Sequence, residues 1–303
     1  MLPVAMTPRF KAFTSMSSRR VGRAAVVAFL VLGGTTACGS SSSPTAPSAA
    51  TPPVASPPAS TAFSEASFRM AAQITATAQI DVFRAVRPGL LEGDLKRVVD
   101  AAFQRAGAAP AFAHIVASGP NALVSHYEGD SRQLADGDAV MVDIGAAFDE
   151  HCSDVSRTYA VSGIFTARQR EIYQLVLDVQ QTVAAEARPG DYLTSLEARA
   201  RALFRSSTLR GRKNQVAGLL PMDQFFVHAL SHFVGRRVHG EDTGLTKFDP
   251  LRPGHVLTIE PGIYIELEGL GVRIEDTYLV TATGLECLTC ACPKQLRDIE
   301  RGM

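Results

Sequence analysis

Three carboxylates stand where a folding chain can least accommodate them. Asp143 lies inside "AVMVDIG", Glu260 inside "VLTIEPGIYI" and Glu275 inside "GVRIEDTYLV", each within a run of strand-forming apolar residues. A carboxylate desolvated in such a run is costly unless it is paired, protonated or coordinated to a cation. Asp154, eleven residues after Asp143, opens the next strand-like run in "CSDVSRT" and can return on a hairpin to face it. Arg157 and Arg273 are the ordinary compensating partners. They can serve one or two acids, not four that converge.

A cluster of histidines raises the same question. "VHALSHFVGRRVHGED" carries His228, His232 and His239, three of only seven histidines in the chain. If this stretch begins as a helix, His228 and His232 share one face, four residues apart, and His239 follows after Gly235. Any one of them alone is as readily a satisfied half-buried side chain. Together they suit a site that the acids also reach.

The chain between these motifs is organised as two similar passes. "FSEASFRMAAQITATAQIDVFRAV" has helical apolar spacing and ends at "RPG", and "GDLKRVVDAAFQRAG" forms a second helix closed by glycine. Strand-like runs follow in "AFAHIVASG", "AVMVDIGAAF" and "SDVSRTYAVSG". The second pass starts with "TARQREIYQLVLDVQQTVAAEA", again ended by "RPG", and continues into "DYLTSLEARARALF". Arg87-Pro88-Gly89, Leu95 and Phe103 match Arg188-Pro189-Gly190, Leu196 and Phe204, 101 positions later. This predicts one domain of two related halves with a site between them.

Charge separates this body from the front of the chain. The first acidic residue is Glu65, after Arg9, Lys11, Arg19, Arg20 and Arg23, so the remainder carries 25 basic against 30 acidic residues, a net of −5. No basic excess points to nucleic acid. Residues 1–37 read as an export signal, with "SSRRVGR" before the apolar "AAVVAFLVLGG" and the small residues "TTAC". The apolar run is too short to span a bilayer as a stable helix. Residues 38–62 form a Pro/Ser/Ala-rich tract without charge, expected to be a disordered tether. Together they resemble a bacterial lipoprotein leader with Cys38 as the lipidated first residue, although Thr35 stands where that pattern prefers an aliphatic residue; a plainly secreted protein is the alternative. Residues 63–303 are then the folded domain that carries the acids and histidines. Cys152, Cys287, Cys290 and Cys292 offer no complete zinc set, and their pairing cannot be read from spacing.

Four carboxylates and an imidazole balance the charge of two divalent cations, and an oxygen-rich donor set favours Mn2+, Co2+ or Zn2+ over thiolate-bound metals. Such a pair acidifies a water and polarises a carbonyl beside it, which is the chemistry of amide hydrolysis.

The order "SHYEGD", "VMVDIG", "SDVSRT", "HALSHFVG", "VHGED", "TIEPGIYI" and "VRIEDTYLVT" resembles the pita-bread metallopeptidases, in particular the aminopeptidase P and Xaa-Pro dipeptidase (prolidase) branch. The likeness runs from about residue 70 to the closing "LTCACPKQLRDIE". It implies an α+β pita-bread (creatinase/aminopeptidase) fold with a pseudo-two-fold repeat of helix-helix-strand halves. It implies that Asp143, Asp154, His232, Glu260 and Glu275 hold two divalent metal ions, Mn2+ first with Co2+ or Zn2+ as alternatives, and that Asp154 and Glu275 bridge them. It assigns His228 and His239 to the substrate and the developing charge at its carbonyl, His126 to the same pocket, and Glu260 to the water's proton. Arg273 is read as structural, and His114, His151 and His255 as ordinary side chains.

The implied activity is a metal-dependent aminopeptidase releasing the first residue of peptides with proline in the second position. An Xaa-Pro dipeptidase or another amide C–N hydrolase on the same scaffold is the alternative, and a non-catalytic binding protein is disfavoured by retention of all five ligands. Peptides are the expected partners, with membrane contact only through lipid at Cys38. Full-length members of the branch carry a substantial N-terminal domain, whereas here the tether leads directly into the first catalytic helix, as in the single-domain methionine aminopeptidases. Loosened proline selectivity is the expected consequence.

Overall fold

The computed structural model describes residues 63–300. The leader and tether read over residues 1–37 and 38–62 lie outside the described residues. Among the described residues no helix is long and apolar enough to cross a membrane.

Two helix pairs stand where the sequence repeat places them. Helix α1 (Glu65–Ala85) starts at Ser64, whose hydroxyl accepts from the Ser67 N–H, and α2 (Glu92–Arg105) follows after the first "RPG". Helix α3 (Ala167–Glu186) starts in a Thr166/Gln169 capping box, and α4 (Leu193–Ser206) follows the second "RPG". In both breaks proline ends the helix and glycine takes a left-handed turn, with φ of 90° at Gly89 and 95° at Gly190. Gly89 N–H donates to Leu134 O at 2.9 Å, and Gly190 N–H donates to Leu251 O at 2.8 Å. The return bonds match too, from Leu134 N–H to Leu90 O and from Leu251 N–H to Asp191 O. Leu95, Phe103, Leu196 and Phe204 are all buried in one continuous core.

Each half carries an antiparallel sheet. In the first, Ala139–Ile144 lies between Ile115–Ser118 and Val155–Ala160; in the second, Asp276–Val280 lies between Val256–Ile259 and Leu285–Cys287. A hairpin of Gly262–Ile265 and Leu270–Arg273 leads into the second sheet. The halves are stitched together where Glu275 N–H donates to Ser156 O at 3.0 Å and Thr158 Oγ1 donates to Arg273 O at 3.0 Å.

A buried glutamine on each helix face extends the repeat beyond the positions noted in the sequence. Gln79 of α1 donates to the carbonyls of Val142 and Val155, and Gln180 of α3, 101 positions later, donates to Asp276. Asp276 also accepts from Arg157 at 2.6 Å and from Lys294 at 2.6 Å, all three nearly or fully buried. Arg157 therefore serves Asp276, not the four acids for which it was one possible partner. Burial alone would raise the Asp276 pKa, but the two cations hold it well below the usual carboxylate range.

The expected helix over His228 and His232 does not form. Residues 226–234 run irregularly and then extended along Val256–Ile259, with Thr258 N–H donating to His232 O, Val234 N–H to Val256 O, and a bridge pairing Phe233 with Leu257. The sheet edge supplies partners that a helix would have to forgo. The two histidines still both approach Glu260, His228 Nδ1 to 3.8 Å and His232 Nε2 to 3.5 Å. Cys287 and Cys290 form a disulfide, while Cys152 and Cys292 are buried free thiols.

Candidate active site

Each antiparallel pair delivers two acids to its end. Asp143 is opposite Ser156, with Asp154 just before the strand that returns, and Ile259 is opposite Asp276, which sets Glu260 and Glu275 at the matching end of the second pair. All four line one cavity of about 510 Å3 together with His126, His232, His239 and Arg273. His228 adjoins them, its Nδ1 3.8 Å from Glu260 Oε2.

The acids remain short of partners. Asp143 Oδ1, Asp154 Oδ1 and Glu275 Oε1 are buried without a hydrogen bond. Arg273 is the cation among them, donating to Asp143 Oδ2 and to Ser156 Oγ. One guanidinium does not neutralise four carboxylates. Burial first, then the charges of Asp143 and Glu260, push Asp154 well above the usual carboxylate range. Glu275 is raised in the same way by burial and Asp154, and Glu260 by burial against the opposing pull of His232.

His232 presents a metal ligand's tautomer. Its Nδ1 lies 3.0 Å from Phe233 O; a carbonyl only accepts, so Nδ1 carries the hydrogen and Nε2 offers its lone pair. That Nε2 is 3.5 Å from both Asp154 Oδ2 and Glu260 Oε1. Ligand atoms of Asp154, His232 and Glu275 fall within 4.8 Å of one another. An oxygen-rich set with one neutral imidazole and three orphaned carboxylate oxygens fits a pair of hard or borderline divalent cations.

The other histidines divide. His228 gives its Nδ1 hydrogen to Ala229 O at 2.8 Å, and its Nε2 is 3.0 Å from Tyr264 OH. Burial, with Arg273 adding, lowers its pKa to about 4, so it is neutral. His239 is more open, its ring 4.8 Å from that of His232, and burial lowers its pKa. His126 faces the cavity from the exposed loop after the Gly119–Leu123 turn.

Sequence reasoning missed Tyr264 and Ser156. Tyr264 OH joins His228 to Arg273, which donates to it at 3.3 Å, and burial pushes the phenol up to about 12. Ser156 donates to Glu275 Oε2 at 2.9 Å. Period-two alternation from Asp154 places Ser156 on the acid's side of its strand, a signal present in "SDVSRT". His151 and His255 hold backbone N–H groups away from the cavity, of Ser64 and Arg252 respectively, but His114 stands in the cavity wall.

The family model of metallopeptidase family M24 matches residues 66–282. The chain belongs to this family.

Within M24 it falls in the aminopeptidase P / Xaa-Pro dipeptidase branch. It is 35% identical over 252 residues to Xaa-Pro aminopeptidase of Escherichia coli, covering 78% of this chain and 57% of that enzyme. It is 34% identical over 222 residues to Xaa-Pro dipeptidase of Pyrococcus furiosus, covering 72% of this chain and 59% of that one. The structure of E. coli aminopeptidase P with the inhibitor Pro-Leu superposes with a TM-score of 0.70 at 34% identity over 79% of this chain and 59% of that chain. Proline aminopeptidase P II from Yersinia pestis gives a TM-score of 0.71 at 34% identity over the same shares of each chain. The fold of this M24 chain is thus the α+β pita-bread fold. The chain spans less than two thirds of the length of these relatives.

Proposed function

We propose that this M24 chain is a dinuclear-metal aminopeptidase that releases the first residue of peptides carrying proline in the second position. The observation that carries the reading is the set of three partnerless buried carboxylate oxygens, on Asp143, Asp154 and Glu275, in the cavity that His232 also lines. Asp143, Asp154, His232, Glu260 and Glu275 would hold the cations, with Asp154 and Glu275 shared; Mn2+ is the first choice, Co2+ or Zn2+ the alternatives. When bound, a pair of divalent cations supplies an acidified water and a polarised carbonyl.

The chain's own groups do the rest. A Glu260 carboxylate oxygen accepts the proton of the attacking water and passes it to the leaving nitrogen. An amide nitrogen, prolyl or not, leaves as an amine only once protonated, so that delivery is obligatory. His239, open to the cavity, donates to the carbonyl oxygen as charge develops. His126 borders the bound peptide, and neutral His228, tied to Tyr264 and 3.8 Å from Glu260, contacts the substrate beside them.

Metal analysis of protein loaded with Mn2+, Co2+ or Zn2+, followed by a peptide panel, tests the reading. About two ions per chain, loss of activity on chelation, and cleavage of Ala-Pro-type peptides are expected. Full activity after exhaustive chelation removes the metallohydrolase reading; cleavage of Leu-Ala but not Xaa-Pro peptides removes the proline preference. The P. furiosus relative keeps the dipeptidase alternative in view, and rejection of Xaa-Pro peptides of four or five residues would select it.

For residues 1–62 the proposal is an exported lipoprotein anchored at Cys38 in a bacterial envelope, its catalytic domain of residues 63–303 held away by the Pro/Ser tether. Cys38→Ser releasing the protein from membranes supports this. An unmodified N-terminus elsewhere by mass spectrometry reduces it to simple secretion.

A further inference from the structure

Lys96 and His114 line the same cavity as the acids and have no part in the chemistry above. His114 precedes the strand Ile115–Ser118, whose first residue is opposite Asp143, and its side chain is 6% exposed. Its Nε2 lies 3.1 Å from Asp100 Oδ1. A carboxylate only accepts, so Nε2 carries the hydrogen and Nδ1 presents a lone pair. That Nδ1 is buried and has no hydrogen-bond partner. A stranded acceptor beside a cavity asks for a donor that a ligand would bring.

Lys96, on α2, offers the opposite. Its Nζ donates to Glu128 O at 3.2 Å and to Gly129 O at 2.9 Å. An ammonium has three hydrogens, and among the described residues its hydrogen bonds are these two, both to neutral carbonyls. One donor and the whole charge remain for an anion. The cavity lining therefore carries the four acids with Arg273 among them and, with Glu128 beside it, an ammonium that makes no ion pair among the described residues. A peptide with a free amine and a free carboxylate settles in such a field with its amine towards the acids and its carboxylate towards Lys96.

We infer that Lys96 and His114 form a subsite for the carboxy-terminal residue of a short peptide, Lys96 binding the free carboxylate and His114 Nδ1 accepting that residue's N–H. The inference rests on the peptide-hydrolase reading and narrows its substrates to short peptides ending soon after the cleaved bond. The cavity volume lies in the range that holds a ligand of this size.

The test compares Ala-Pro-Gly, its C-terminal amide, and Ala-Pro-sarcosine, which lacks the terminal N–H, on the cation-loaded protein. The acid should exceed the amide in kcat/KM by about tenfold, as a charge-assisted hydrogen bond warrants. Lys96→Arg should keep that ratio, Lys96→Met should bring it to about one, and Lys96→Glu should reverse it. The sarcosine peptide should lose rate in the wild type but not relative to Ala-Pro-Gly in His114→Leu. A wild-type acid-to-amide ratio near one overturns the proposal. So does a Lys96→Met protein that slows on acid and amide alike, because that is the signature of a lysine that merely tethers the Glu128–Gly129 loop. If no Xaa-Pro peptide is cut, the substrate reading has failed, and calorimetry with Pro-Gly and Pro-Gly amide decides the subsite separately. Tighter binding of the acid, abolished in Lys96→Met, supports it, and equal binding overturns it.

Discussion

Arg273 and Glu275, two residues apart, are joined through a serine from the other half of the molecule. Arg273 Nε donates to Ser156 Oγ at 2.8 Å, and that hydroxyl donates to Glu275 Oε2 at 2.9 Å. The relay fixes one Glu275 oxygen and leaves Oε1 free and buried. Groups that orient metal ligands in this way matter nearly as much as the ligands themselves.

Ser156→Ala should therefore weaken divalent-cation binding by about 10- to 100-fold while the fold persists. Titration of the metal-free protein with Mn2+ measures this. Unchanged affinity would show that Glu275 is positioned by its backbone alone.

The acids of the metal-free site should favour the folded chain more strongly as pH falls. Asp154 and Glu275 have pKa values raised above those of the unfolded chain, by burial first and neighbouring carboxylates next. Their favourable contribution is fully present below the ordinary carboxylate pKa and is lost as pH rises through the raised folded values. Melting temperature without cations should therefore fall as pH rises through those raised values. The Asp154→Asn, Glu275→Gln variant should lack this component while keeping the opposing one from His228, whose pKa is lowered to about 4. Saturating Mn2+ should reverse the carboxylate component because protons then compete for the ligands. Parallel pH profiles with and without Mn2+ would contradict this.

His239→Ala should lower turnover on the order of 100-fold, the typical cost of removing one donor to a developing oxyanion. Cation stoichiometry should not change, since His232 keeps its Nδ1 bond to Phe233 O. Metal analysis beside steady-state kinetics separates the two effects.

Arg157→Met leaves Asp276 with a buried charge and one fewer cation, and it removes the donor to Glu275 O. A loss of about 3–5 kcal/mol in chemical denaturation is expected. The exposed pair Arg168–Glu268 should cost no more than about 1 kcal/mol when broken.

What the sequence determined by itself was local or repeated. Helical spacing closed by "RPG" twice over, with Leu95/Phe103 and Leu196/Phe204 in register, placed both helix pairs, because apolar periodicity and proline's missing N–H act within a few residues. An acid in an apolar run announced itself because its desolvation cost does not depend on which fold buries it. Only the tertiary structure decided which partners meet. His228 and His232 gave up the expected helix for a sheet edge that supplies hydrogen bonds from Val256–Ile259. Arg157 turned to Asp276, Arg273 reached Asp143 across 130 positions, and Cys287 took Cys290. Tyr264, Lys96 and His114 carry no local sign of a role, and Ser156 carries only the alternation that sets it on the side of Asp154. Their positions follow from strand register and the contact between the two halves, and pairings at long sequence separation are fixed by packing of the whole chain rather than by any stretch of it.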